Sequence, residues 1–301
     1  MNKKPEHPAI GVESMPVENE RTRFLKMTGS GNDFIVLDNR AQGISPEQGR
    51  ELARLACRRK LSVGADGLIL IENDPEVDFR WRFFNADGSE AEMCGNGARC
   101  AARFAHIKGI VAKSRMSFRT LAGIIEAEIK EPRVKIRMTP PHGLEPDLNV
   151  EAEQRSFRLH FINTGVPHVV CFLENDRALE EMNVFHWGRL LRHHRRFQPA
   201  GSNVNFALVE DANHMAIRTY ERGVEDETLA CGTGSIASAL VAAAKGMVQS
   251  PVEVRTRSGE TLTIYFDNPS TGAAAEFSQV YLEGDAKVVY EAELWKETLR
   301  E

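Results

Sequence analysis

The chain has 301 residues, 42% of them hydrophobic and 27% charged, and its formal net charge at pH 7 is −5. This length allows two domains with separate cores, and the negative balance argues against general affinity for nucleic acid. The sequence contains no apolar run of the roughly 18 residues that span a bilayer, so neither nucleic acid nor a membrane is expected as a partner.

The N-terminal segment, residues 1–21, is polar, contains three prolines and lacks the apolar stretch of a secretory signal. We expect it to be a flexible extension outside the fold. Five cysteines form an odd and sparse set that does not suit a disulfide framework. Their number favours a reducing, cytoplasmic location.

Strand and helix patterns alternate from residue 23 to residue 138. Ser45 and Pro46 predict the start of a helix, because serine caps a helix and proline is favoured in its first turn. A second helix is predicted from the loop at Cys94 to about His106. The predicted strands of this part are residues 24–27, 34–37, 67–71, 79–83, 123–130 and 133–138.

The motif Pro-Pro-His-Gly at residues 140–143 is the clearest break in these patterns. It divides the chain into a first domain, residues 22–140, and a second domain, residues 141–286. The last predicted strand, residues 287–297, is a candidate to return to the first domain.

The second half repeats the alternation of strands and helices. A helix is predicted from the loop at Cys231 to about Lys245, where small apolar residues follow one another. The predicted strands are residues 157–162, 169–173, 204–209 and 215–220.

Two segments of the chain are near copies of one another, CGNGARC at residues 94–100 and CGTGSI at residues 231–236. Their cysteines are 137 positions apart, and two upstream glycines in similar contexts, Gly31 and Gly165, are 134 positions apart. A shared offset indicates an internal duplication. We therefore predict two homologous halves that face each other and contribute one cysteine apiece.

Each of these cysteines precedes a glycine-rich helix start. A glycine inside a helix costs about 1 kcal/mol, so two of them in a first turn indicate that a ligand approaches the backbone closely. The unpaired N–H groups there favour an anion and lower the pKa of an adjacent thiol. Two such motifs could hold one carboxylate between them and place a thiolate and a thiol on opposite faces of its α-carbon. The pattern predicts a two-base stereoinversion.

Seven segments in order make the chain similar to the diaminopimelate epimerase family over roughly residues 23–294. They are GSGNDF (29–34), GADG (64–67), FNADGS (84–89), CGNGARC (94–100), GSNVNF (201–206), YERGVE (220–225) and CGTGSI (231–236). The resemblance implies a cofactor-independent enzyme that interconverts L,L- and meso-diaminopimelate, a small amino-acid substrate, in the supply of lysine and peptidoglycan precursors. It also implies an α+β fold of two pseudo-symmetric homologous domains, each a mostly antiparallel sheet or barrel around a central helix.

No Cys-x-x-Cys or His-x3-His spacing occurs near the cysteines, so a metal site is not expected. The resemblance further implies site residues in both halves. Cys94 and Cys231 would be the catalytic acid–base pair. The residues beside them, which would tune the pKa values of the thiols, are His168 and Glu221. The backbone groups that would hold the reacting carboxylate are those of Gly95, Asn96, Gly232 and Thr233. The side chains that would bind the substrate are Asn32, Asn85, Asn205, Glu221 and Arg222, since amides donate and accept and a guanidinium suits a carboxylate.

Two positions depart from the family pattern. Many members have Gly-Asn-Pro-His where this chain has Val166 in place of the asparagine, and some have glutamine in place of Gly67. Neither departure touches the cysteines, so both concern the distal end of the substrate. We expect a water molecule or another polar side chain to replace the missing amide.

Two other functions fit the same residues. A related two-cysteine racemase acting on proline or hydroxyproline would use the same cysteine loops, but the segments around Asn85 and Arg222 favour a substrate with a second polar end. A non-catalytic amino-acid binding protein of the same fold would need the carboxylate cradle but not both thiols. The sequence leaves the oligomeric state open, with a homodimer as one candidate.

Overall fold

The computed structural model describes residues 21–267 and 276–299. The predicted N-terminal extension, residues 1–21, lies outside the described residues except for its last residue. Within the two described ranges, no helix combines the length and the apolar character needed to cross a bilayer.

The first half alternates strands with two helices between residues 21 and 137. Its helices are α1 (Pro46–Ala56) and α2 (Gly95–Ile107). Its strands are β1 (Arg21–Gly29), β2 (Asn32–Asp38), β3 (Gly67–Glu72), β4 (Phe79–Asn85), β5 (Arg115–Thr120), β6 (Gly123–Lys130) and β7 (Arg133–Arg137). As predicted, Ser45 caps α1, and its side chain and that of Gln48 bond each other's backbone N–H in a capping box.

The second half contains the remaining elements of the described chain. Its helices are α3 (Asp176–Glu180), α4 (Val184–Arg192) and α5 (Gly232–Ala244), with short 3-10 helices at Arg195–Phe197 and Lys296–Leu299. Its strands are β8 (His142–Ala152), β9 (Arg155–Asn163), β10 (Pro167–Phe172), β11 (Asn203–Val209), β12 (His214–Glu221), β13 (Asp226–Thr228), β14 (Val252–Arg255), β15 (Thr261–Tyr265), β16 (Tyr281–Asp285) and β17 (Lys287–Trp295).

The two halves have the same strand pairing. In the first half β1 and β2 are antiparallel, β2 and β3 parallel, β3 and β4 antiparallel, β4 and β5 parallel, and β5, β6 and β7 antiparallel. The series β9, β10, β11, β12, β14, β15, β16 repeats these relations in order. Each parallel pair is bridged by helical chain, as parallel pairing requires. The predicted α+β fold with an internal repeat is confirmed.

Three strand pairs link the chain around this repeat. The last strands of the two series, β7 and β16, pair antiparallel, with Ile136 opposite Leu282. The final strand, β17, returns to β1, and β8 pairs with β9 in the equivalent place. The proposed boundary at residue 140 falls between β7 and β8, and the division into domains stays a prediction.

The core explains why α2 and α5 are the central helices. Every residue of α5 from Gly234 to Ala244 is buried, and a helix that is apolar on all sides must be surrounded by other elements. One continuous apolar cluster includes Ala101 of α2 and Ala239 of α5 and so spans both halves. Two outer clusters pack α1 and α4 on the opposite faces of their own sheets.

The patterns missed β5, α3 and α4 and placed a break where β8 begins. In β5 only alternate residues are buried, and its first residue, Arg115, is charged, so the apolar face is short. Strand β8 starts at His142, inside the proposed break, where Gly143 takes a positive φ of 68°. The half-exposed strand β5 and the largely polar strand β8 therefore escaped sequence reasoning.

Candidate active site

Cys94 and Cys231 occupy the same place in the two halves. Each is the extended residue directly before a central helix, with φ and ψ of −145° and 116° at Cys94 and −125° and 108° at Cys231. The Cys94 Sγ accepts the N–H of Gly97 at 3.5 Å, and the Cys231 Sγ lies 3.5 Å from the Thr233 Oγ1. Both thiols thus lie at helix N-termini, where N–H groups and the helix dipole favour negative charge.

The two helix N-termini converge on one side chain. A Cβ placed on Gly95, the first residue of α2, would lie 3.7 Å from the Leu282 Cδ2. A Cβ placed on Gly232, the first residue of α5, would lie 3.0 Å from the same atom. Leu282 on β16 therefore lies between the two helix starts, and the strand pair β7–β16 holds them together. The structure brings the two predicted cysteine loops to one place.

Around Cys94, a chain of amides and a guanidinium holds the loop. The Asn32 Nδ2 donates to the Asp66 Oδ2 at 2.9 Å, and its Oδ1 accepts from the Asn96 Nδ2 at 2.8 Å. Arg99, which is fully buried, donates to the Asn96 Oδ1 at 2.9 Å and to the Ser30 Oγ at 2.8 Å. Within the described residues Arg99 forms no ion pair with a carboxylate, so its charge acts on the helix start.

Around Cys231, strands β10, β11 and β12 supply the surrounding polar groups. The Asn203 Oδ1 accepts the Arg222 N–H at 2.7 Å, and its Nδ2 donates to the Pro167 carbonyl at 3.0 Å. The Thr164 hydroxyl donates to the Thr233 carbonyl at 3.1 Å, inside the cysteine loop. These contacts tie the start of α5 to the strand ends that carry Glu221 and Arg222.

The electrostatic surroundings of the two thiols differ. Burial raises the pKa of Cys94, and the Gly97 N–H and the Arg99 guanidinium oppose that increase. Burial, together with the nearby Glu221 carboxylate, raises the pKa of Cys231 to about 12. The buried Arg99 guanidinium favours the thiolate of Cys94, whereas the Glu221 carboxylate disfavours the thiolates of both cysteines.

The predicted tuning residues both lie in the second half. The Glu221 carboxyl faces the Cys231 thiol, and burial raises the pKa of Glu221. Burial, reinforced by the positive charge of Arg222, lowers the pKa of His168 to about 3. At neutral pH His168 is therefore an uncharged ring beside the site.

The remaining predicted residues lie at the rim of the site or behind it. Asn85 is exposed at the end of β4, where its Nδ2 donates to the Ser89 Oγ at 3.0 Å. Half-buried Val166 lies in the turn before β10, and its carbonyl accepts the Thr164 N–H at 3.1 Å. Asn205 is fully buried, and within the described residues its side chain bonds to His168, the Val169 carbonyl and the Thr219 hydroxyl; its contact with the substrate stays a prediction.

Close packing explains why position 67 is occupied by glycine. A Cβ there would lie 2.5 Å from the Phe83 Cε2 and 2.6 Å from the Phe84 carbonyl oxygen. Both distances are shorter than van der Waals contact, and one partner is backbone. A longer side chain at this position, such as glutamine, therefore does not fit the neighbours that this chain has.

Sequence reasoning missed two residues that the structure places in the site. Asn203 alternates with Asn205 along β11 and lies against Arg222, so the Asn-x-Asn pattern contained the signal. Arg99 lies three residues after Asn96, about one helical turn along α2, so its position beside Asn96 could also have been predicted from the sequence. In residues 21–267 and 276–299 no group of three or more His, Cys, Asp or Glu side chains is arranged to hold a metal ion.

Comparison with known proteins gives the same family for both halves. The family described as diaminopimelate epimerase matches residues 24–143 and 160–289. The diaminopimelate epimerase of Aquifex aeolicus is 47% identical over 291 residues, which cover 92% of this chain and 99% of that protein. That of Chlorobaculum tepidum is 42% identical over 268 residues, which cover 88% and 98%.

Solved structures with low sequence identity share the fold. A phenazine biosynthesis protein of the PhzF family from Bacillus anthracis superposes with a TM-score of 0.71 at 16% identity, covering 91% of this chain and 99% of that one. A hydroxyproline epimerase from Agrobacterium vitis, with bound trans-4-hydroxy-L-proline, gives a TM-score of 0.67 at 15% identity, covering 92% and 93%. At these identities the likeness concerns the architecture alone.

Proposed function

Since the chain belongs to the diaminopimelate epimerase family, we propose that it interconverts L,L- and meso-diaminopimelate with Cys94 and Cys231 as the two proton-transfer groups. The observation that carries this proposal is the pair of cysteines at equivalent N-caps of α2 and α5, whose first residues both approach Leu282. A single carbon held between two such helix starts has one sulfur on each face.

The reaction needs one thiolate and one thiol in the same site. The thiolate removes the proton from the α-carbon, and the electron pair moves into the adjacent carboxylate to give an enediolate. The opposite thiol then delivers its proton to the other face of the carbon. The stereocentre is inverted, and the two cysteines have exchanged protonation states. The reverse reaction starts from that exchanged state, so the same two groups serve both directions.

Stabilisation of the developing charge is the larger task, because an α-proton of an amino acid is very weakly acidic. In a first helical turn the N–H groups have no intrahelical partner. In α2 the N–H groups of Gly97 and Asn96 both face the Cys94 Sγ, so the carboxylate would lie beside that sulfur, against the N–H groups of Gly95 and Asn96. The first N–H groups of α5, from Gly232 and Thr233, are the counterparts. Two helix ends aimed at one carboxylate supply preorganised electrostatic stabilisation.

Polar groups at the rim of the site, those of Arg222 and Asn32, recognise the distal end of the substrate. Arg222 can form two hydrogen bonds with a carboxylate, and the Asn203 side chain holds its backbone at 2.7 Å. Asn32 keeps one unassigned amide hydrogen, because its other contacts are to Asp66 and Asn96. These groups replace the amide that Val166 lacks. A substrate with a second amino-acid end fits this rim better than proline does.

The decisive experiment is proton NMR of the reduced protein with L,L-diaminopimelate in deuterium oxide, beside a sample with L-proline. We expect loss of the α-proton signal of diaminopimelate and growth of the meso isomer. Exchange with proline alone would assign the chain to the proline-type activity. Exchange with neither substrate, in folded protein with free thiols, would indicate a binding protein.

Cysteine variants test the two-base scheme. Cys94→Ala and Cys231→Ala should each lose inversion by on the order of 1,000-fold or more, because each removes one proton-transfer group. Cys100→Ala is the matched control, since Cys100 is a fully buried cysteine of the same helix α2. Inversion retained in Cys231→Ala would contradict the scheme. The reduced thiols that the reaction requires favour a cytoplasmic location.

A further inference from the structure

Asn205 and His168 form a buried polar pair beside the start of α5. Both side chains are fully buried, and Asn205 lies on β11 between β10 and β12. The Asn205 Nδ2 lies 3.1 Å from the His168 Nδ1 and 2.9 Å from the Val169 carbonyl oxygen. Its Oδ1 accepts the Thr219 hydroxyl at 2.9 Å. The pair also contacts α5, the helix that follows Cys231, because Gly234 packs directly on the Asn205 Oδ1.

The orientation of the Asn205 amide follows from its partners. A carbonyl oxygen only accepts, so the group facing the Val169 carbonyl must be the amide nitrogen. The reversed amide would place two acceptor oxygens about 3 Å apart in a buried site, with no hydrogen between them, which is strongly unfavourable. The second hydrogen of that nitrogen then points at the His168 Nδ1.

This orientation determines where the His168 ring carries its proton. A neutral imidazole has one donor and one acceptor nitrogen, and Nδ1 receives a hydrogen from Asn205, so Nδ1 is the acceptor. The ring is neutral because burial and Arg222 depress its pKa to about 3. The proton is therefore on Nε2. In the part of the chain that the structure describes, this buried Nε2 has no hydrogen-bond partner.

A buried donor without an acceptor is unfavourable, and a ligand atom that accepts its hydrogen removes that cost. We propose that Asn205 is a positioning residue whose amide holds the His168 ring with its proton on Nε2, so that the site presents a buried hydrogen-bond donor to an acceptor atom of the bound amino acid. The identity of the ligand rests on the proposed function, but the position of the proton does not.

The test reads the position of the proton directly. Nitrogen-15 NMR of histidine-labelled protein at pH 7.5 separates protonated from unprotonated ring nitrogens, and His168→Gln assigns the signals. We expect an unprotonated Nδ1 and a protonated Nε2 at His168. His160 is an internal reference, because it is also buried and its Nδ1 accepts the Asp147 N–H at 3.0 Å.

Asn205→Asp changes the donor at this position to an acceptor of nearly the same shape. We expect the proton of His168 to move to Nδ1, while the signals of His160 stay unchanged. With the donor lost, kcat/KM for diaminopimelate should fall by on the order of 100-fold. Asn205→Ala, which buries no new charge, should give a mixture of both tautomers and a smaller loss.

Three results would overturn the inference: a protonated Nδ1 in the unmodified protein, an unchanged tautomer in both variants, or a moved proton with unchanged kcat/KM. Failure of the proposed function is distinguishable from these results. A protein that turned over neither diaminopimelate nor proline would contradict the assigned reaction, and the NMR measurement would still decide the tautomer.

Discussion

Gly234 allows the sharpest test of how the second helix start is packed. It is the third residue of α5, and a Cβ there would lie 2.3 Å from the Asn205 Oδ1 and 3.3 Å from the Cys231 Cβ. Normal contact needs about 3.5 Å, so Gly234→Ala must separate the helix start from Asn205 by about 1 Å. If the start of α5 moves, Cys231 moves with it. If Asn205 moves, its contact with His168 changes. The substitution therefore disturbs the site in either case.

The internal repeat supplies a matched control. Gly97 is the third residue of α2, and a Cβ there would lie 3.3 Å from the Trp81 Cζ3, which needs only a small adjustment of an apolar ring. Both substitutions gain about 1 kcal/mol of helix propensity. Only Gly234→Ala also causes overpacking, at a cost of about 1–3 kcal/mol. Misplacement of a reacting group by about 1 Å lowers rates by about 100-fold, or about 2.7 kcal/mol.

The assay is kcat/KM for L,L-diaminopimelate in deuterium oxide, together with the thermal midpoint of each variant. Gly234→Ala should lose about 100-fold in kcat/KM with equal or lower stability. Gly97→Ala should keep most of its activity and be equally or more stable. If both variants lost activity to a similar extent, close packing of Gly234 on Asn205 would not be what positions Cys231.

Three other changes have defined outcomes. His160 and His168 have pKa values lowered to about 4 and about 3, so the unfolded chain takes up protons below pH 6.5 that the folded chain does not. The free energy of unfolding in urea should therefore fall from pH 7.5 to pH 5.5 by about 1.4 kcal/mol per histidine, and a His160→Gln variant with the same slope would contradict this. Gly67→Ala should lower the free energy of unfolding by about 1–3 kcal/mol because of its clash with the Phe84 carbonyl, and an unchanged thermal midpoint would refute that cause. Brief exposure to iodoacetamide should modify Cys94 before Cys231, since Cys94 is partly exposed whereas Cys231 is buried, and the Arg99 charge favours the Cys94 thiolate; peptide mass spectrometry showing Cys231 modified first would contradict this order.

Local patterns were sufficient for much of the fold and for the pair of cysteines. The capping box at Ser45, the buried strands and the two glycine-rich helix starts depend on residues close together in the chain, so their signals are complete within a short window. The constant offset between the repeated motifs predicted two equivalent halves without any knowledge of the sheet. Cys94 and Cys231 follow from that symmetry alone.

Residues whose roles depend on their neighbours in space were harder to predict. Asn203 and Asn205 share one face of β11, and the alternation of a strand gives both the same signal. Only the packing of α5 on β11 places Asn205 beneath Gly234 and leaves Asn203 beside Arg222. Sequence position could not separate the two asparagines, because the helix and the strand that do so come from segments about thirty residues apart.

Local sequence patterns were enough to predict that two cysteines precede two glycine-rich helices in a duplicated fold. The surroundings of each cysteine depend on the packing of distant segments, which puts the buried guanidinium of Arg99 near Cys94 and the carboxyl of Glu221 against Cys231. The physical reason is that a helix start is specified by local backbone and capping preferences. The charge felt by a thiol depends instead on burial and on groups brought close by strand pairing, which no local pattern encodes.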